Sequence, residues 1–372
     1  MEKHRHVFED FASFDRMYDG YLMARRNKRY KQAVLNYTAN LEENLITSVN
    51  ELQWKTYEIG ELYEFYEYFP KKRLIFSLPF YDRVINCAAY RTLWPIYSRS
   101  FYEHNYGSVP GKGTHAGVKQ LQEWLKMLSA DTSRQWFLGK MDIAKFFFRI
   151  PVEVQLRELG RPLDDPDMMW FLTKAVHGDG RPLGLPLDCL DVATAERVAG
   201  RGMQTGSLIS QMTANVVLTP LDHYIKRDLR APYYIRYMDD MIILAPSKDF
   251  VWDLIRSEEH TSELQSLAYS LRGNLGLQLN NKTAVMPLDQ GVEFIGRRVW
   301  PDKVQLRRTT TLHMKQHLAF VREHYATGEL PLEYCRDVIV SYLGLLEGTD
   351  SDALRDSILR DFVLIRHQEK SE

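Results

Sequence analysis

The sequence predicts an α+β protein whose helices gather at the two ends of the chain and whose strands fall in the middle. Three observations carry this. Between residues 11 and 53, Leu35, Leu41, Leu45 and Val49 recur near the helical period, with Glu42 and Glu43 on the polar side. Between 233 and 245 the run YYIRYMDDMIILA alternates strongly, the pattern of a β-hairpin. From 309 to 365 the helical pattern returns, with a break near 326–330. At 372 residues the chain can bury a sizeable core, and its length predicts two or three cooperating units.

Taken in order, the first helical region gives way to extended chain. KKRLIFSLP, residues 71–79, is a basic turn running into β-branched and aromatic residues closed by proline, as a strand should be. Residues 82–97 return to helix. NYGSVPGKGTH, 105–115, is dense in glycine and proline and predicts a loop whose glycines let backbone approach a ligand closely. QWFLGKMDIAKFFFRI, from 135, is an apolar strand that carries Asp142 and ends in aromatics. A helical pattern with a polar loop follows, through 164–201, and GMQTGSLISQ, 202–211, is a flexible turn opening a helix through 215–225. Beyond 275, LGLQLNNKTAV and VEFIGRRVW predict short strands. No internal repeat is visible. RSEEHTSELQS, 256–266, reads as the in-frame translation of a common sequencing-library adapter. Glu259 and Glu263 at i,i+4 would also suit a polar helix face. No function is drawn from this stretch.

Composition narrows the class. Hydrophobic residues at 45% and charged residues at 26% are ordinary globular values and exclude a disordered or fibrous chain. No apolar run approaches the length of a membrane span. The start, MEKHRHVFEDF, lacks an apolar signal core, so a cytoplasmic location without membrane attachment is expected. Cys87, Cys189 and Cys335 are odd in number and far apart, which suggests neither a disulfide framework nor a thiolate metal knuckle. A net charge of −1 lacks the basic footprint usual for phosphate binding. Basic residues nevertheless cluster at 25–31, at 71–73, and at Arg297, Arg298, Arg307 and Arg308.

The chemistry sits in acidic residues placed where they should not be. Ionised aspartates inside apolar strands are costly unless paired or metal-bound, so Asp239 and Asp240 within IRYMDDMIIL call for a cation. Asp142, on a second apolar strand, has the same need. Three hard oxygen ligands on adjacent strands can hold two Mg²⁺ about 4 Å apart, an arrangement suited to phosphoryl transfer. A DD dipeptide alone is a weak signal, since an exposed turn explains most such matches.

The surroundings of that dipeptide resemble the reverse transcriptases over nearly the whole chain. YMDD is the centre of the resemblance, and MDIAKFF is similar to the family's first metal-binding motif. The resemblance implies that Asp142, Asp239 and Asp240 are catalytic and bind metal together with the Ile143 carbonyl. It places Phe147 where a bulky ring crowds the sugar 2′ carbon and would exclude ribonucleotides by clash with the 2′-OH. GMQTGSLISQ resembles the template- and nucleotide-binding turn, with Gly202, Gly206, Ser210 and Gln211 in matching places and Gln204 where the family usually has proline. LNNKT places Lys282 like the lysine near the leaving pyrophosphate. FIGRRV looks like the primer-positioning hairpin, with Phe294, Gly296 and Arg297. Lys71 and Arg73 resemble the residues that grip the triphosphate.

The resemblance implies a right-hand polymerase: fingers with N-terminal helices over 1–133, an antiparallel-sheet palm over 134–307 and a helical thumb over 308–372. It implies an RNA template, a DNA or RNA primer, dNTPs and two Mg²⁺ ions, or Mn²⁺ in their place. LEENL, PFYDRVI, PGKGTHAGV, GSLISQ and SYLGLLEG are most similar to bacterial and phage enzymes of the diversity-generating retroelement type. Defence-associated and group II intron-type enzymes are the neighbouring alternatives. Template-independent nucleotidyl transfer is another, and a catalytically silent RNA-binding protein of polymerase shape is the alternative of a different class. No nuclease domain is visible, so removal of the template strand would fall to a partner. The near-neutral charge suggests a basic accessory protein that supplies nucleic-acid affinity.

Overall fold

The computed structural model describes residues 3–67, 73–186, 189, 196–255, 271 and 273–366. Four helices open the chain: α1 (Val7–Phe11), α2 (Phe14–Ala24), α3 (Gln32–Ala39) and α4 (Leu41–Gln53). The long helical stretch expected over 11–53 is therefore divided. Ser13 caps α2 by accepting from the Arg16 amide, and Asn27 takes a left-handed φ of 59° in the turn before α3. β1 (Tyr63–Glu67) and β2 (Arg73–Ser77) then pair antiparallel, from Tyr63↔Ser77 to Glu67↔Arg73.

Helix α5 (Phe80–Tyr97) runs through the middle of the N-terminal core, and α2 lies directly on it. Gly20 makes that approach close. A Cβ there would stand 2.5 Å from the Val84 carbonyl and 2.9 Å from the Ala88 Cβ. After a loop comes α6 (Thr114–Ser129), which the sequence reading passed over although Val118, Leu121, Leu125 and Leu128 hold helical spacing and are buried.

The central sheet has the order β4-β5-β3-β6 and is antiparallel throughout, built from β3 (Phe137–Asp142), β4 (Tyr233–Tyr237), β5 (Asp240–Ala245) and β6 (Ala284–Pro287). Helices α7 (Phe146–Arg149), α8 (Val152–Gly160), α9 (Pro166–His177) and α10 (Leu208–Arg227) separate β3 from β4, and α11 (Lys248–Ile255) follows β5. The end of α9 is legible locally: Asp165 accepts from the Met168 amide, Pro166 fills the first turn, and Gly178 closes it at φ 65°. The aromatics expected to end the β3 strand instead form α7. Lys145 adopts φ 52°, which breaks the strand and turns Phe146 into the core.

The sheet is covered on both faces. Met141, Tyr234, Met241 and Ile243 pack on α10 and α11, with Gly139 letting α11 come so near that a Cβ would meet Val251 Cγ1 at 2.5 Å. Leu138, Ile235, Ile242 and Leu244 pack on α6 and on a small sheet of β7 (Val292–Phe294), β8 (Arg297–Val299) and β9 (Val304–Leu306). Among the described residues three helices follow, Arg308–Ala326, Leu332–Leu346 and Asp352–Asp361, with a separate core that includes Leu306, Met314, Leu318, Leu346 and Ile358. Among the described residues, no helix is long and apolar enough to cross a membrane. The stretch 256–266 lies outside the described residues.

The α2–α5 contact tests the packing. Gly20→Ala should lower stability by about 1–3 kcal/mol through overpacking against the α5 backbone, read as a lower urea midpoint with an unchanged slope.

Candidate active site

Three carboxylates meet at one end of the central sheet. Asp142 closes β3 and stands directly opposite Asp240, the first residue of β5, while Asp239 occupies the two-residue loop that joins β4 to β5. Side-chain alternation puts Asp142 and Asp240 on one face of the sheet, together with Lys140 and Ile242. The Asp142 carbonyl accepts from Asn280 N and the Ala144 amide donates to the Gln278 carbonyl. The alternation of an antiparallel strand therefore aims the Ile143 carbonyl the other way, toward β5 and the aspartates. Asp142, Asp239, Asp240 and Ile143, expected together, are brought together.

The crowding has an electrostatic signature. Burial, and then the neighbouring carboxylates Asp142 and Asp240, push the Asp239 carboxyl well above its ordinary value. Asp240 is raised by burial and by Asp142, while Lys140 and Arg307 pull it back. Among the described residues, no group of three or more His, Cys, Asp or Glu side chains is set to hold a metal ion as it stands, so the three carboxylates are neighbours without forming a ready cage. An open trio of carboxylates with surplus negative charge, flanked by a carbonyl, fits Mg²⁺, which keeps water and takes substrate phosphate oxygens alongside one or two protein carboxylates.

The turn that carries Asp239 is held from beneath by a buried polar network. Met238 sits at φ 54°, in the left-handed region that costs a non-glycine residue about 1–2 kcal/mol. Arg236, fully buried, donates from Nη1 to the Met238 carbonyl at 3.1 Å and to Asn215 Oδ1 at 3.0 Å. Its Nε and Nη2 form a bidentate pair with the equally buried Asp222, at 2.7 and 2.6 Å, and Tyr234 also donates to Asp222. Asn215 donates to the Gly107 carbonyl and accepts from Asn105. Gly107 lies against Met238, where a Cβ would be 2.5 Å from the Met238 amide nitrogen. The glycine-rich loop thus does approach closely, and what it approaches is the turn itself. Residues 104–106 also bond to Arg236 backbone, covering the outer edge of β4.

The nucleotide-side residues take up different positions. Phe147 is half-buried against Phe146, and its carbonyl accepts from the Met203 amide, tying α7 to the glycine turn. Gly206 is exposed and closely stacked on β2, where a Cβ would lie 2.6 Å from the Phe76 carbonyl. Thr205 bonds β2 at Leu74 and Phe76. Ser207 caps α10, so Ser210 is turned inward and buried while Gln211 stays half-exposed. Gly202 takes φ 91° against Leu183 and Gly184. Gln204 is buried, with its amide against Gly178 rather than toward solvent. Lys282 is exposed in the turn before β6. Arg73 opens β2, and Lys71 lies outside the described residues.

The hairpin FIGRRV joins β7 to β8. Ile295 at φ 50° and Gly296 at φ 75° form its two-residue loop, and Gly296 is open to solvent. Phe294 and Arg297, expected in the primer-positioning hairpin, are buried. Arg297 donates to the Leu345 and Glu347 carbonyls at 3.0 Å, so its cation serves the end of the Leu332–Leu346 helix. Arg307, bonded to Glu293 and near enough to Asp240 to act on its charge, and Lys140, which donates to the Glu293 carbonyl at 2.6 Å, are the cations on the carboxylate side.

The sequence reading missed Arg236, Asp222, Asn215, Lys140 and Asn280. For Arg236 the signal was available: period-two parity puts it on the face of Tyr234, inside the core, where a charge demands a partner. Arg236→Met should cost about 3–5 kcal/mol in urea unfolding, since it leaves Asp222 buried and unpaired. Adding Asp222→Leu should recover part of that loss, a coupling that a double-mutant cycle measures.

Residues 69–299 match the family model described as reverse transcriptase (RNA-dependent DNA polymerase). The chain is similar to Protein YkfC of Escherichia coli (strain K12), 22% identical over 250 residues, which is 59% of this chain and 60% of that one. The chain thus spans less than two thirds of that relative's length. Among solved structures it resembles telomerase from Candida albicans in complex with the TWJ fragment of telomeric RNA (TM-score 0.44, 12% identity, 81% of this chain and 55% of that one). It also resembles apo telomerase from Candida tropicalis truncated from its C-terminal domain (TM-score 0.43, 13% identity, 67% and 55%).

Proposed function

The chain belongs to the reverse transcriptase (RNA-dependent DNA polymerase) family, and on that premise we propose that it extends a DNA or RNA primer with dNTPs along an RNA template. The observation that carries this is the opposition of Asp142 and Asp240 across the β3–β5 pair with Asp239 in the adjoining loop. Asp142, Asp239, Asp240 and the Ile143 carbonyl would hold Mg²⁺, or Mn²⁺. When bound, the metal activates the primer 3′-OH and neutralises charge on the transferring and departing phosphates.

The protein's own residues supply the rest. Arg236 and Gly107 fix the loop so that Asp239 keeps one position, and Lys140 and Arg307 offset the negative charge at Asp240. Gly206, next to β2, leaves a flat surface for the incoming base, with Ser210 and Gln211 behind it. Phe147 would stand against the sugar 2′ carbon, Lys71 and Arg73 would grip the triphosphate, and Lys282 would face the leaving pyrophosphate. Gly296 at the open hairpin loop would approach the primer backbone. In this reading residues 1–133 are fingers, 134–307 palm and 308–372 thumb.

GSLISQ in the nucleotide turn, PGKGTHAGV and SYLGLLEG favour an enzyme of a bacterial or phage diversity-generating retroelement, acting in the cytoplasm. The net charge of −1 favours a basic accessory protein as partner.

A primer-extension assay tests the reaction. Wild-type protein should add only the complementary dNTP on an RNA template, and Asp239→Asn should lose more than about 10²-fold in rate while keeping its circular dichroism spectrum. Extension retained by Asp239→Asn would overturn the proposal. Addition of every dNTP irrespective of template would move the reading to template-independent transfer, and binding of RNA without extension to a silent RNA-binding protein. Phe147→Ala should raise incorporation of ribonucleotides relative to deoxyribonucleotides by about 10–100-fold, measured by competition between the two.

A further inference from the structure

Asn280 sits in the short turn between the Ile143↔Leu279 bridge and β6, and each of its polar groups is engaged. Its backbone amide donates to the Asp142 carbonyl at 2.6 Å, and its carbonyl accepts from the Thr283 amide at 3.1 Å and the Thr283 hydroxyl at 2.8 Å. Those bonds alone close the turn. The side chain adds two more: Oδ1 accepts from the Lys282 amide at 3.1 Å, and Nδ2 donates to Asp142 Oδ2 at 3.0 Å.

The orientation of the amide is not arbitrary. A backbone N–H can only donate, so the atom facing Lys282 must be the oxygen, and the NH₂ then necessarily faces the carboxylate. A carboxylate in place of this amide would set oxygen against oxygen beside three aspartates that already repel one another. A neutral donor of this length satisfies both contacts at once.

We infer that Asn280 is a positioning residue for the metal site: its amide fixes the rotamer of Asp142 through Oδ2 and joins that carboxylate to the turn that presents Lys282. The inference rests on the carboxylate trio being the metal site. Its content goes further, because it ties the setting of one metal ligand to the loop on the pyrophosphate side through a single side chain. The Asp142 contact is not needed for the turn, which the Asn280 backbone and Thr283 hold.

Metal binding can be read without turnover, from the electron paramagnetic resonance of free Mn²⁺ titrated with protein in the absence of nucleic acid. Asn280→Ala removes both side-chain bonds. Asn280→Ser keeps a hydroxyl able to accept from the Lys282 amide but too short to reach Asp142. Both variants should bind Mn²⁺ about tenfold or more weakly, with unchanged circular dichroism, and the Mg²⁺ midpoint for extension should rise by a similar factor with the rate recovered at high metal. Asp239→Asn serves as the reference. If it weakens Mn²⁺ binding while both Asn280 variants bind as the wild type does, the positioning role is overturned and the metal site stands. If Asp239→Asn also binds as the wild type does, the trio is not the metal site and both readings fall.

Discussion

The buried ion pair between Arg236 and Asp222 is the constraint on which the site depends. Both residues are fully buried, one on β4 and the other on α10, so the pair fixes the distance and register between the sheet and its covering helix. Its value lies in what Arg236 still has to give. With two nitrogens committed to Asp222, Nη1 remains for the Met238 carbonyl and Asn215, and through Asn215 the loop around Gly107 is brought in. Met238 can therefore hold a backbone conformation that few non-glycine residues adopt. Replacing such a pair by packed apolar groups is often neutral or favourable for stability. Its retention here is explained by aim: a hydrophobic core would hold β4 in place but would not tell the loop where to point.

The same site is arranged against its own stability. Asp239 and Asp240 carry raised proton affinities because burial, and then the charge of neighbouring carboxylates, Asp142 above all, disfavour the ionised forms. Groups raised in this way favour the folded state most when protonated and least once pH has passed through their raised range. At neutral pH the fold thus bears repulsion among these carboxylates that a cation held there would relieve. Lys140 and Arg307 moderate it on one side, but Arg307 is divided between Asp240 and Glu293.

Much of the architecture was legible because local rules and global fold agree. The alternation of 233–245 gave a hairpin, and the Asp-Pro start and glycine end of α9 follow capping chemistry. The three aspartates were legible because each breaks an apolar pattern. Less visible were effects that depend on partners distant in the chain. Phe294 and Arg297 look like a surface hairpin's aromatic and cation, yet Phe294 packs into the core beneath α6 and the Leu345 and Glu347 carbonyls lie over Arg297. Asn280 is an ordinary turn residue until β6 brings it to Asp142, 138 positions away in the chain. The turn at Lys145 was hidden because nothing in AKFFF announces a left-handed residue.

Helix α10 has a consequence for modularity. Ile209, Met212 and Val216 belong to the N-terminal core, while Ala214, Val217, Leu218, Leu221 and Ile225 belong to the core of the sheet. One helix is a wall shared by two rooms. The N-terminal helices cannot be detached without baring one side of α10, whereas the three C-terminal helices have a core of their own, joined to the rest by contacts that include Leu306, Arg297 and the Val304–Asp350 bonds. Exchange of parts between relatives is accordingly easy at the C-terminal boundary and obstructed at the N-terminal one. Heat or denaturant should open the molecule in that same order, with the C-terminal helices released first and the two shared cores lost together.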